Sequence, residues 1–170
     1  ITSMEPITLL QPQKIVFGTG CIEKLREDYL SMGYKRLFIV TLPFMLPAIK
    51  ETADTLEASG VTVGYYTEIC SEPSVADFKK ALKKAQEFKA DSFLGIGGGS
   101  ILDITKLVST LIESEQKIED LFGIGLIHAK GKWFACIPTT SGTGSEVSPN
   151  AILLDERDQL KKGVVSPFLM

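Results

Sequence analysis

Short apolar runs, rich in β-branched and aromatic residues, alternate with amphipathic stretches along most of the chain. The apolar runs predict strands at 14–17, 37–41, 61–66, 92–96 and 133–137. The amphipathic stretches predict helices at 21–32, 46–59 and 100–112, and a further helix after a turn at 72–74. Two last strands are predicted at 151–154 and 161–165, and the glycine-bearing residues 123–131 are predicted to form a loop. This alternation is typical of an α/β fold, in which a mostly parallel sheet carries helices on both faces.

Composition and charge exclude several classes of function. The chain has 170 residues, 44% of them hydrophobic, and a net charge of −3, which argues against a nucleic-acid surface. No apolar run reaches the roughly 20 residues of a membrane helix, and the first residues do not resemble a signal peptide. Cys21, Cys70 and Cys136 form neither a disulfide framework nor a C-x-x-C site. We therefore expect a single domain over residues 1–170, located in the cytoplasm, with no membrane or nucleic-acid partner.

The most informative segment joins the strand at 92–96 to the helix that follows it. It contains Gly97, Gly98, Gly99 and Ser100 in succession. Backbone N–H groups at a helix N-terminus bind phosphate when no Cβ blocks the approach, and glycines meet that condition. The alternative is a tight turn without a ligand, but three consecutive glycines exceed what such a turn requires. Ser100 is expected to cap the helix, with Asp103 completing a capping box.

A second segment leaves the strand at 133–137 and carries five hydroxyl groups and two glycines within eight residues, from Thr139 to Glu146. Hydroxyl groups donate hydrogen bonds to phosphate and ribose oxygens. Alone, such a loop is weak evidence, because the same residues also form plain turns. Paired with the glycine segment, it predicts a nucleotide site, since ligands of parallel α/β sheets bind at the carboxyl ends of the strands. The glycine spacing is not G-x-G-x-x-G, which favours a different dinucleotide fold.

The two segments together resemble the iron-containing (group III) alcohol dehydrogenase family. The matching residues are Gly97-Gly98-Gly99-Ser100-x-x-Asp103-x-x-Lys106 and the run from Pro138 to Glu146. Phe17-Gly18-x-Gly20 and Glu72-Pro73-Ser74 match weaker features of the family. The resemblance implies a Rossmann-like N-terminal domain that binds NAD or NADP, followed by an all-helical domain that holds Fe²⁺ or sometimes Zn²⁺. Residues 1–170 would be the first of these domains, in a homodimer or higher homo-oligomer.

The resemblance also implies roles for single residues. Gly98, Gly99 and Ser100 would contact the pyrophosphate, and Asn150 and Lys161 would approach the nicotinamide end. Thr139, Thr140 and Thr143 would line the adenine, ribose and phosphate side. The predicted cofactor-binding set further includes Gly97, Asp103 and Ser145, with Asp103 orienting the cofactor if it is not simply a cap. No catalytic residue is identified within this chain.

Two departures from the family pattern affect the cofactor and the metal. Members that prefer NAD often carry an Asp after the first sheet strand, whereas this chain has Leu42 there. The absence of this Asp carboxylate removes the repulsion of a 2′-phosphate, so NADP becomes tolerable. The only histidine is His128, and one histidine cannot form the several-ligand site that Fe²⁺ or Zn²⁺ requires. We expect no metal site in this chain and a solvated loop position for His128.

Three hypotheses about function follow. The first is a cofactor-binding domain of a dehydrogenase that transfers a hydride between NAD(P) and a small alcohol, aldehyde or ketone. The second is a stand-alone nucleotide-binding module without catalysis. The third is a relative of glycerol dehydrogenases and dehydroquinate synthase, which share a glycine-triplet loop. The run Pro138-Thr139-Thr140 with Gly142 to Glu146 favours the alcohol dehydrogenase branch over the third hypothesis.

Overall fold

Four parallel strands form the main sheet of the protein, in the order β2-β1-β3-β5. The structure is a computed structural model that describes residues 6–69 and 71–170. The strands are β1 (Arg36–Val40), β2 (Thr62–Tyr66), β3 (Ser92–Gly97), β4 (Gly123–Ile124), β5 (Trp133–Pro138), β6 (Asn150–Asp155) and β7 (Leu160–Val165). The helices are α1 (Ile22–Met32), α2 (Leu46–Ala58), α3 (Val75–Phe88) and α4 (Gly99–Leu111). The predicted Rossmann-like α/β class is confirmed.

Helices cover both faces of the main sheet. Successive residues of a strand point to opposite faces of the sheet, so an apolar strand packs against helices on both sides. On one face, Leu37 and Ile39 of β1 pack in a cluster with Tyr29 of α1 and with Ile49 and Leu56 of α2. On the other face, β1 contributes Phe38 and Val40 to a larger cluster with α3 and α4. The apolar run in β1 thus has no polar side, as expected for a strand that is buried on both faces.

α4 lies deepest in the protein, and every residue from Ile101 to Leu111 is buried. The sequence analysis assigned only one inward stripe to this helix. The difference arises because α4 packs against the main sheet and also against a second, three-stranded sheet with the order β4-β7-β6. The last two predicted strands are β6 and β7, which form an antiparallel hairpin in that second sheet. β4 falls within the residues predicted to be a loop, and it pairs with β7 in parallel.

Two of the predicted strands differ from expectation. Residues 14–17 form no strand, and their side chains are exposed, with Phe17 fully so. A strand needs a neighbour that completes its hydrogen bonds, and within the described ranges 6–69 and 71–170 no strand pairs with this segment. β5 was expected to be buried, but it is only half-buried because it forms an edge of the main sheet.

A capping box is present, but not where the sequence analysis expected one. Ser74 precedes α3 and its hydroxyl accepts a hydrogen bond from the Asp77 N–H, while Asp77 accepts one from the Ser74 N–H. This cap fixes the start of α3 directly after the Glu72-Pro73 turn. Among the described helices, none is long and apolar enough to span a membrane. Cys70, which was considered with the other cysteines, lies outside the described residues.

Candidate nucleotide-binding site

The glycine turn between β3 and α4 forms the floor of the candidate site. Gly98 is the residue that caps α4, and its carbonyl accepts hydrogen bonds from the N–H groups of Ile101 and Leu102 at 3.0 and 3.2 Å. The predicted cap by Ser100 is therefore wrong. Ser100 already lies inside the helix, and its hydroxyl donates to the Ser71 carbonyl at 2.7 Å. Asp103 does not cap the helix either, since its Oδ2 accepts from the Ile152 N–H at 3.0 Å.

The three successive glycines differ in what a Cβ at each position would meet. A Cβ at Gly97 would lie 2.7 Å from Cγ1 of Ile101, and one at Gly99 would lie 2.6 Å from Oγ1 of Thr143. These two positions are limited by packing within the protein. A Cβ at Gly98 would meet only Thr140, at 3.4 Å, which the fold tolerates. Packing therefore does not explain the glycine at position 98, whereas the approach of a ligand to the helix N-terminus would.

The hydroxyl-rich segment lies directly against this turn. The Thr139 N–H donates to the Gly97 carbonyl at 3.0 Å, so β5 and β3 stay paired up to their ends. The hydroxyls of Thr143 and Ser145 are 3.0 Å apart, and Gly144 between them adopts the left-handed conformation that favours glycine. Thr139, Thr140 and Thr143 are exposed, so their hydroxyl groups are accessible to a ligand.

A groove of about 320 Å³ runs from the start of α4 to the β6–β7 hairpin. Of the predicted site residues, it brings together Gly99, Ser100, Asp103, Thr143, Ser145, Asn150 and Lys161. The others, which are Leu42, Gly97, Gly98, Thr139 and Thr140, do not line this groove. Gly97, Gly98, Thr139 and Thr140 lie at the ends of β3 and β5, and Leu42 follows β1 at the same edge of the sheet.

The end of β1 is joined to the end of β3 at the point where the strand order reverses. Thr41 is buried, and its hydroxyl donates to the Ile96 carbonyl at 2.8 Å. Leu42 follows with an extended backbone, is half-buried and packs against the larger apolar cluster. Ligands of doubly wound sheets bind in the crevice outside such a reversal point. Leu42 therefore lies where the second strand-end contact of a dinucleotide is expected.

Sequence reasoning missed one wall of the groove. Ser71, Glu72 and Pro73, which precede α3, face the hairpin residues Ile152 and Lys161 across it. The Glu72-Pro73 pair had been noted only as a weak motif. A tertiary contact places this pair in the groove wall, since the Leu154 N–H donates to the Pro73 carbonyl at 3.0 Å.

Lys106 is the second feature that sequence reasoning did not place. Its side chain is 1% exposed, and its ammonium group donates to the carbonyls of Ser145 at 2.8 Å, Ser148 at 3.0 Å and Asn150. Burial lowers the pKa of Lys106 and raises that of Asp103, while the attraction between the two charges opposes both shifts. The signal in the sequence that could have indicated the burial of Lys106 is its position among the apolar residues Ile104, Leu107 and Val108.

The remaining titratable candidates do not extend the site. His128 is exposed on its loop, as expected. Cys136 is half-buried in β5, and burial of its thiol raises the pKa to about 12, so the thiol stays protonated at neutral pH. Within the described ranges, no three His, Cys, Asp or Glu side chains converge in a way that would hold a metal ion. These residues therefore do not fit the Fe²⁺ or Zn²⁺ site that the resemblance attributes to the family.

A sheet of this topology, with a glycine turn and a hydroxyl-rich loop at one edge, is typical of the Rossmann-like α/β class of domain. The sequence profile described as iron-containing alcohol dehydrogenase matches residues 12–170. The chain belongs to the iron-containing alcohol dehydrogenase family.

Similar proteins agree with this assignment. The chain is 37% identical to a sulfoacetaldehyde reductase of Bilophila wadsworthia, over 92% of this chain and 41% of the reductase. It is 33% identical to long-chain-alcohol dehydrogenase 1 of Geobacillus thermodenitrificans, over 80% of this chain and 36% of that enzyme. The chain thus spans about two fifths of the length of these relatives.

Solved structures give the same result for the fold. An alcohol dehydrogenase from Oenococcus oeni superimposes with a TM-score of 0.90 at 30% identity, covering 97% of this chain and 44% of that one. An NADH-dependent butanol dehydrogenase from Thermotoga maritima superimposes with a TM-score of 0.85 at 29% identity, covering 98% and 42%.

Proposed function

We propose that this chain binds NAD(H) or NADP(H) at the carboxyl edge of its main sheet. The observation that carries the proposal is Gly98, the capping residue of α4, where the fold leaves room for a Cβ that would obstruct a phosphate group. The first N–H groups of a helix have no partner within the helix, and its N-terminus is the positive end of the helix dipole, so the start of α4 at Gly99 favours the pyrophosphate. Thr140 lies beside Gly98 and Thr143 beside Gly99, and both residues are exposed, as is Thr139 at the end of β5. Their hydroxyl groups can donate hydrogen bonds to phosphate and ribose oxygens.

For the whole protein we propose hydride transfer between the nicotinamide cofactor and a small alcohol, aldehyde or ketone. The bound nicotinamide ring supplies the hydride donor or acceptor, and the chain contributes its binding and orientation. In this proposal Gly98, Gly99 and Ser100 hold the pyrophosphate. Asn150 and Lys161, at the hairpin end of the groove, hold the nicotinamide end. Family membership and the NADH dependence named for the Thermotoga maritima relative support the proposal that this chain binds the nicotinamide cofactor.

The cofactor preference is a separate proposal, which rests on Leu42. A carboxylate at this position would repel a 2′-phosphate, and leucine does not. We therefore propose that NADP(H) binds at least comparably to NAD(H). Isothermal titration of the purified chain with NADH, NADPH and ADP-ribose tests both proposals. Micromolar binding of the reduced dinucleotides supports the site, and no detectable binding of any of the three would refute it.

We also propose that residues other than those described hold any catalytic metal. Elemental analysis of the dialysed chain tests this, because stoichiometric iron or zinc would contradict it. The alternative, a stand-alone nucleotide-binding module, predicts dinucleotide binding without turnover, and dehydrogenase activity in a longer protein that contains these residues would contradict it. Assembly as a homo-oligomer and a cytoplasmic location stay predictions, which light scattering and cell fractionation test.

A further inference from the structure

Lys106 has an unusual position for a lysine, in the middle of the most buried helix of the protein. Lysine is almost never fully buried unless its ammonium group is paired. Here all three donors of that group are used, because Ser145, Ser148 and Asn150 each present a backbone carbonyl to it. The three carbonyls belong to one short segment, 145–150, which connects the hydroxyl-rich loop to β6.

This segment forms one wall of the groove. Besides the contacts to Lys106, its backbone is held by the Val147 N–H, which donates to the Gly144 carbonyl, and by the Ser166 N–H, which donates to the Pro149 carbonyl, each at 3.0 Å. The segment contains a single short 3-10 turn at Ser145–Val147 before β6 begins. Ser145 at its start and Asn150 at its end both line the groove, as does Ser148 between them. Without the ammonium group, three carbonyls that point towards α4 would lose their donor. Buried carbonyls rarely stay unpaired, so the segment would turn them towards water and move its side chains in the groove.

Asp103 extends the same contact by one helical turn. Its Oδ2 accepts from the Ile152 N–H at 3.0 Å, and Oδ1 lies 3.8 Å from the Lys106 ammonium nitrogen. Oδ1 is buried without a hydrogen-bond partner among the described residues. The Lys106 charge, followed by the Ile152 N–H and the Ser145 hydroxyl, opposes the rise in the pKa of Asp103 that burial causes. Together the two side chains hold the groove wall from Ser145 to Ile152 against the helix that begins at the glycine turn.

A purely structural ion pair is the alternative to a positioning role. A buried pair can often be replaced by apolar or neutral residues of similar size with little loss of stability. Such a replacement would not restore the donors to the three carbonyls, however. Stability and groove geometry can therefore be separated by experiment.

We propose that Lys106 is a positioning residue for the dinucleotide, which fixes the 145–150 wall at its distance from the glycine turn. The inference rests on the proposed function. The glycine turn itself is held by its own backbone hydrogen bonds, so the site for a diphosphate does not depend on Lys106. Loss of the ammonium group should therefore weaken the contacts of the nicotinamide half more than those of the ADP half.

The test compares NADH with ADP by calorimetry on the purified chain. In Lys106→Met, we expect the ratio of NADH affinity to ADP affinity to fall about tenfold, while ADP affinity itself changes by less than about threefold. Lys106→Gln keeps an N–H donor and should recover part of the ratio. Equal losses for both ligands, or an unchanged ratio, would overturn the positioning role.

The double variant Asp103→Asn/Lys106→Met separates stability from position. It leaves no unpaired buried charge, so its melting temperature should recover relative to Lys106→Met, while the NADH to ADP ratio should stay low. Recovery of the ratio together with stability would show that the role is structural only. If Lys106→Met does not fold, the ratio of NADH affinity to ADP affinity is compared between the wild type and the double variant. A wild-type chain that binds neither ligand would instead refute the proposed function.

Discussion

The ammonium nitrogen of Lys161 lies 2.6 Å from Oε1 of Glu72, and this ion pair spans the groove between β7 and the turn before α3. Both side chains are about 60% exposed, at 59% and 60%, so the pair adds little to stability. Its consequence concerns charge. In the proposed site Lys161 approaches the nicotinamide end of an anionic ligand, and Glu72 partly neutralises the cation that would attract it.

Removing the Glu72 charge should therefore strengthen nucleotide binding. For Glu72→Gln we expect NADH affinity to rise about two- to fivefold at low salt, with a smaller gain at high salt because such charges are screened. Glu87→Gln is a matched control, since Glu87 forms a similarly exposed ion pair with Lys84 at the other end of α3. Titrations at two salt concentrations check this expectation. An equal gain in both variants would mean that only net charge matters.

Substitution of Gly98 tests the phosphate site directly. Because a Cβ there meets only Thr140 at 3.4 Å, Gly98→Ala should fold with an unchanged circular dichroism spectrum. We expect its NADH affinity to fall by at least about tenfold, and Gly98→Val to abolish binding. Gly163→Ala is the control, since a Cβ in that part of β7 meets nothing within 4 Å. Unchanged binding by folded Gly98→Val would place the pyrophosphate elsewhere.

Leu42 should determine how strongly the chain discriminates against NADPH. In Leu42→Asp, a carboxylate beside the 2′-phosphate should lower NADPH affinity at least about tenfold relative to NADH. Leu42→Asn is the matched control, because it loses the same apolar packing without adding a charge. Calorimetry with both nucleotides measures the ratio. A wild-type preference of about a hundredfold for NADH would show that position 42 is not the selector.

Acid stability should depend on Asp155, the last residue of β6 before the turn of the β6–β7 hairpin. Its carboxylate accepts hydrogen bonds from Arg157 at 2.7 Å and Lys162 at 2.8 Å, and these cations hold its pKa well below the ordinary value of 3.8. A lowered pKa in the folded state stabilises the protein above the unfolded pKa, and this contribution is lost as pH falls.

The measurement is thermal unfolding as a function of pH. Asp155→Asn should melt below wild type at neutral pH, and the gap should narrow below about pH 4, where the wild-type carboxylate begins to lose its advantage. A gap that stays constant down to about pH 2 would show that Asp155 acts by packing and not by charge.

The sequence predicted the elements of the main sheet because their apolar periodicity is local. β1, α2 and β3 each agree with their predicted ranges to within one or two residues. The segment at 14–17 has the same apolar character, but a strand also needs a neighbour, and periodicity does not encode one. The same limit applied to β5, whose residues cannot indicate that the strand lies at an edge.

The site was predictable as far as it depends on backbone conformation. Glycines and hydroxyls after two strands indicated the sheet edge where the candidate site lies, and the groove contains seven of the predicted residues. The capping roles predicted for Ser100 and Asp103 were wrong because the local spacing of a capping box ignores tertiary partners. Ser71 and Ile152 supply those partners, from segments 29 and 49 residues away.

The complete burial of α4 has a consequence for the energetics of binding. At its far end, a Cβ at Gly131 would collide with the backbone of Ser109 and Thr110, so the helix is in close backbone contact there and meets the glycine turn at its start. A helix enclosed in this way opens to solvent only when much of the protein unfolds, and its amide hydrogens should be among the slowest to exchange. The helix N-terminus that we propose as the phosphate site is then already ordered before the ligand arrives. Binding at this N-terminus therefore needs little additional loss of conformational entropy. Ordering that accompanies binding is expected in the exposed walls of the groove instead.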